Sequence, residues 1–139
     1  MKRFKFSLEK VLKLRKSHEQ EAKNELGKAI SALNIIDNDM KQNAILRSDA
    51  AQERFAGINS GYAAGTASSM GVMDMIAWDR YIKRLEQEAE RLVQDAARAE
   101  QVVEEKRSLY IEASRELKVM ENLKDKRKTE YRKEMRDKE

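Results

Sequence analysis

Few residues in this chain are of a type that could do acid–base, nucleophilic or metal chemistry, and the spacing of each argues against it. The single histidine, His18, has no cysteine and no second histidine with which to share a metal. A solvent-facing residue on a charged helix is the better account of it. Carboxylates pair at Glu86/Glu90 and at Glu100/Glu104. An i,i+4 interval sets them on one helix face, and with no pocket around them they form a solvated surface instead of an acid–base couple.

Gly57, Gly61 and Gly65 are spaced by four, yet no Gly-Lys-Ser/Thr follows to complete a phosphate cradle. That segment is also too short and polar for a small-residue membrane face, so it reads as a flexible turn. The run Lys124-Asp125-Lys126-Arg127-Lys128-Thr129-Glu130-Tyr131-Arg132-Lys133 has the look of a basic DNA-reading helix until its acids are counted. Phosphate binding needs unopposed cations, whereas alternating charges four apart stabilise an exposed helix. The expectation is no catalytic residue, no cofactor, no metal and no nucleic-acid partner.

The elements that would position any site are therefore the main content of the sequence. From Met75 the residues Trp78, Ile82, Leu85, Ala89, Leu92, Ala96, Ala99, Val103, Lys106, Tyr110, Ala113, Leu117 and Met120 follow at alternating intervals of three and four. Thirteen of these 14 positions are apolar, Lys106 being the exception. A mean spacing of about 3.5 residues keeps one narrow seam facing a partner helix, as in a coiled coil. The positions between are mostly charged, which excludes a deeply buried helix.

An earlier helix carries the same alternation through Leu12, Arg15, Glu19, Ala22, Leu26, Ala29, Leu33, Ile36, Met40, Asn43, Arg47 and Ala50, with eight of 12 positions apolar. Phe4, Phe6, Leu8 and Val11 mark its start, and Ser7 is the candidate cap. With 139 residues, no proline, 39% charged and 6% aromatic side chains, the chain falls in the long-helix class. No apolar run approaches the roughly 18 residues of a membrane span. The basic opening lacks the apolar core of an export signal.

Four of the five glycines fall between residues 57 and 71, the one credible point of reversal. The expected architecture is all-α, a long antiparallel two-helix coiled-coil hairpin forming a single domain. Helix 1 covers about 4–56, a glycine-rich loop about 57–72 and helix 2 about 73–135. Residue 56 would lie beside about 74 and residue 4 beside about 126. Lys106 would fall opposite residue 24, with Glu21 and Glu25 as ion-pair candidates unless the lysine stem simply lies along the seam. A polar seam residue can also set register, and Arg15, Glu19, Asn43 and Arg47 are open to the same two readings.

The net charge of +4 is unevenly spread: residues 1–16 and 116–139 together carry 16 basic and eight acidic side chains, the remainder 13 and 17. A hairpin would bring both basic ends together. Met70, Met73, Met75, Ile76, Trp78, Tyr81 and Ile82, with Phe55, Ile58 and Tyr62 just before, exceed what one stripe per helix can hide. They form either a local cap over the loop or an exposed patch for a partner.

The opening Phe4-Lys5-Phe6-Ser7-Leu8-Glu9-Lys10-Val11-Leu12-Lys13-Leu14-Arg15, the Glu19-Gln20-Glu21-Ala22-Lys23-Asn24-Glu25-Leu26 that follows, and Trp78-Asp79-Arg80-Tyr81-Ile82-Lys83-Arg84-Leu85 after the turn resemble the FliJ family, the stalk-like component of the bacterial flagellar type III export apparatus. The resemblance covers nearly the whole chain. It implies a non-enzymatic cytoplasmic hairpin, peripheral at the flagellar base on the inner membrane and similar to the stalk of rotary ATPases.

The partners it implies are the hexameric export ATPase, which members stimulate, the cytoplasmic part of the export-gate membrane protein, and export chaperones. The family's aromatic-x-x-x-Leu gate-binding pair matches Tyr81 and Leu85. Its later small residue and histidine are replaced by Glu88 and Leu92. Replacing Tyr81 and Leu85 by alanine is expected to spare the fold and abolish gate binding. Phe4, Phe6, Arg127, Lys128, Tyr131 and Arg132, at the open end, are the candidates for entering the ATPase ring. The chain is expected to be a monomer alone and not to insert into the membrane. The rival reading is a self-associating structural coiled coil or a general holdase chaperone.

Overall fold

The structure is a computed structural model and describes residues 3–63 and 71–138, with side chains in the first stretch described as far as residue 59. It is an all-α helical hairpin, with α1 over Glu9–Ala63 (55 residues) and α2 over Val72–Lys138 (67 residues). Both helices contribute to each of two compact units, Met1–Ile30 with Gln101–Glu139, and Ser31–Glu100.

The seam read from the 3–4 alternation is the packed stripe. Each of its 14 positions on α2 and 12 on α1 is buried or half-buried, while most residues between them are exposed. In the first unit the buried apolar residues are Phe6, Leu12, Ala29 and Val103; in the second they are Ala50, Leu85, Leu92 and Ala96. Alanines share these positions with larger apolar side chains, so a two-helix layer excludes water from a stripe only one residue wide.

Both ends of α1 differ from expectation. Helix 1 begins at Glu9, not residue 4, with a turn at residues 7–8 where Glu9 N–H donates to the Phe6 carbonyl at 3.1 Å. Over residues 3–6, before this turn, burial alternates: Phe4 and Phe6 face inward while Arg3 and Lys5 face out. That is the period of extended chain, and a helix would throw Phe4 and Phe6 to different faces. Ser7 is not seen capping the helix; its hydroxyl accepts a hydrogen bond from Arg127 Nη1 at 3.0 Å.

At the other end α1 runs through Gly57 and Gly61 to Ala63, seven residues into the stretch expected to be loop. Extending an existing helix is cheap even through glycine, at about 1 kcal/mol each, because nucleation is already complete. The half-buried Arg54, Gly57 and Ile58 continue the seam spacing from Ala50. The rest of the expected loop, 64–70, lies outside the described residues. At the start of α2 Gly71 N–H donates to Asp74 Oδ2 at 3.3 Å, one half of a capping box, and the Gly71 carbonyl accepts the first helical bond, from Met75 N–H at 3.1 Å. It runs to Lys138, three residues beyond the expected end.

Register is close to expectation at Arg15 and departs from it toward the N-terminus. Arg15 Nη1 meets Glu116 Oε2 at 2.6 Å, and Lys124 Nζ meets Glu9 Oε2 at 3.0 Å. From Glu9 to Phe4 five residues match the seven from Lys124 to Tyr131, since extended chain covers more length per residue than helix. Phe4 therefore lies beside Tyr131, not residue 126.

Candidate partner-binding surfaces

In the first unit the segment before α1 lies on the end of α2. The Phe4 and Tyr131 rings stand 5.5 Å apart at 47°, and the Arg127 guanidinium lies 5.7 Å from the centre of the Phe6 ring. Phe6 is only 8% exposed. Four of the six residues expected at the ATPase are thus gathered in one place, and their mutual contacts pin the N-terminal segment down. Lys128 and Arg132 are exposed on α2, without a carboxylate partner among the described residues. The basic ends meet as expected.

Farther along this unit, Lys106 shares a shallow groove with His18, Glu21, Ala22, Glu25 and Leu109. It makes no ion pair among the described residues, and Glu25 turns to Lys28 at 3.3 Å. Of the two readings, the half-buried Lys106 therefore fits the one in which its stem lies along the seam.

The second unit holds the Tyr81–Leu85 pair, and the two side chains differ in access. Tyr81 is half-buried, edge-on to Trp78 at 6.0 Å and 69°, with the Arg84 guanidinium 5.9 Å from its ring centre. Leu85 is 5% exposed, a seam residue with almost no surface for a partner. Its carbonyl accepts a 3.1 Å hydrogen bond from Asn43 Nδ2, and Asn43 Oδ1 in turn accepts from Arg47 Nε at 2.8 Å. Asn43 is 4% exposed, so both ends of a buried amide are satisfied. This ties α1 to α2 at the residue pair expected to bind the gate. A double Tyr81/Leu85 replacement would therefore disturb packing as well as surface.

The patch near the reversal is divided. Met75, Trp78, Tyr81, Ile82 and Ile58 are half-buried, whereas Phe55, Val72, Met73 and Ile76 are exposed. Met70 and the side chain of Tyr62 lie outside the described residues. One group that sequence reading passed over is Arg80, Lys83 and Arg84, which line a shallow groove with Ala77 and Gln87. Its signal was present as three cations within five residues and no acid three or four away from Arg80.

The described residues form a helical hairpin that carries exposed apolar and basic patches. Among the described residues no helix is long and apolar enough to cross a membrane. The model of the flagellar FliJ protein family matches residues 4–139, so the chain belongs to the FliJ family and is a component of the flagellar protein export apparatus. No curated protein and no solved structure gives a significant match.

Proposed function

We propose that this chain is a non-enzymatic accessory stalk that binds and stimulates the hexameric export ATPase, contacts the export gate and escorts export chaperones. It would act in the cytoplasm at the inner-membrane base of the flagellum. The observation that carries the reading is the family match over residues 4–139 together with the two-helix hairpin.

The aromatic contacts at Phe4, Phe6, Arg127 and Tyr131 support a division of labour at the ATPase end. These four hold the N-terminal segment on α2, and exposed Lys128 and Arg132 meet the ring. The expected gate contact runs through Tyr81, with Leu85 and Asn43 fixing the helix beneath it.

Adding the purified chain to the export ATPase is expected to raise its hydrolysis rate. Lys128→Glu with Arg132→Glu, which leaves the aromatic contacts in place, is expected to cut that stimulation by about threefold or more. Undiminished stimulation by the double variant would move the contact elsewhere. No stimulation by the unaltered chain would overturn the ATPase role.

A further inference from the structure

On α2 the residues Met73, Ile76, Ala77, Arg80, Lys83, Arg84 and Gln87 recur at intervals of three and four on the face opposite the seam. Met73 is 77% exposed and Ile76 40% exposed. The next arginines along this face are neutralised within the helix: Arg91 lies 3.3 Å from Glu88, and Arg98 lies 3.9 Å from Asp95. Arg80, Lys83 and Arg84 have no carboxylate partner among the described residues.

Of the three acids at helical spacing from them, two are engaged elsewhere, and the third, exposed Glu86 three after Lys83, makes no ion pair with it. Asp79, four before Lys83, is held by Arg54 of α1 at 2.7 Å, and Glu88, four after Arg84, is held by Arg91. Arg84 is also steadied over the Tyr81 ring, so ordering it on a partner forfeits less side-chain freedom.

We infer that Arg80, Lys83 and Arg84, continuous with exposed Ile76 and Met73, dock an acidic, partly apolar surface of a partner protein. The inference rests on the reading that the export gate meets the chain at the start of α2, and it names the chemistry of the gate's contact surface. Three cations fall short of the roughly six to ten phosphate contacts typical of nucleic-acid binding and of the about four to eight basic residues of a lipid-binding cluster. Exposed Glu86, Glu88 and Glu90 follow at once and would repel a continuous polyanion, whereas a protein's acidic patch can end where they begin. The apolar neighbours suit a protein surface with a dry centre and a charged rim.

The test measures binding of the full chain to the purified cytoplasmic part of the export gate at about 0.05 and about 0.3 M salt. Arg80→Glu, Lys83→Glu and Arg84→Glu together are expected to weaken binding about tenfold or more at low salt and to remove most of its salt dependence. The helical melting curve should hold, because all three side chains are exposed. Tyr81→Ala is expected to weaken binding while keeping the salt dependence.

If Tyr81→Ala weakens binding and the triple variant does not, the acid-docking inference falls and the gate reading stands. If the unaltered chain does not bind the gate fragment, both fall. Vesicles containing phosphatidylglycerol are the comparison probe. Binding to them that the triple reversal abolishes, with gate binding intact, would assign the cations to lipid and overturn the inference.

Discussion

Leu85 and Tyr81 stand four residues apart on α2 and do different work. Leu85 fills the seam, and removing it leaves a void that two helices cannot close, so Leu85→Ala is expected to cost about 2–3 kcal/mol of stability. Tyr81→Ala gives up an edge-on ring contact and part of a half-buried surface, a loss of about 1 kcal/mol. Urea unfolding followed by circular dichroism separates the two, and equal midpoints would refute the distinction. Asn43 shows the residue scale at its least legible. Sequence marked it as a polar seam position with two readings open. Its bond to the Leu85 carbonyl could be known only once the register of α1 against α2 was set.

At the scale of elements, the seam was the readable part, because a 3–4 alternation is a property of one helix and needs no knowledge of its partner. The ends were harder. The apolar residues Phe4, Phe6 and Leu8 suit either period over so short a run, and the contacts with Arg127 and Tyr131 select the extended form. Glycine content suggested a break at residue 57, but α1 continues because no proline stops it and the seam spacing persists. Within α1, Gly27 is exposed and a methyl group placed there would meet nothing within 4 Å. Gly27→Ala should therefore stabilise the chain by about 0.5–1 kcal/mol, read as a higher urea midpoint; an unchanged or lower midpoint would contradict the open helical environment of that position.

For the molecule as a whole, the decisive question is whether each chain pairs its own helices. Long-range pairs such as Arg15 with Glu116 and Arg54 with Asp79 are the contacts of a chain folded back on itself. The segment joining the helices is short, so closure within one chain should outcompete exchange between chains at low concentration. Light scattering across a concentration series is expected to give a constant mass near 16.2 kDa. A mass that rises toward the dimer would favour the self-associating structural rod over the stalk.

By itself the amino-acid sequence determined that this protein is helical, which stripe of each helix is buried, and that its basic ends belong together. Those properties follow from local periodicity and from one point of reversal. Tertiary structure decided which polar groups find partners. It sends Asn43 to a backbone carbonyl, leaves Lys106 without the glutamates beside it, takes Asp79 from Lys83 for Arg54, and lays the N-terminal residues on α2 as extended chain. The reason is physical. Many charged pairings along two long helices lie within a few tenths of a kcal/mol of one another, so only the register imposed by packing across the whole seam selects among them.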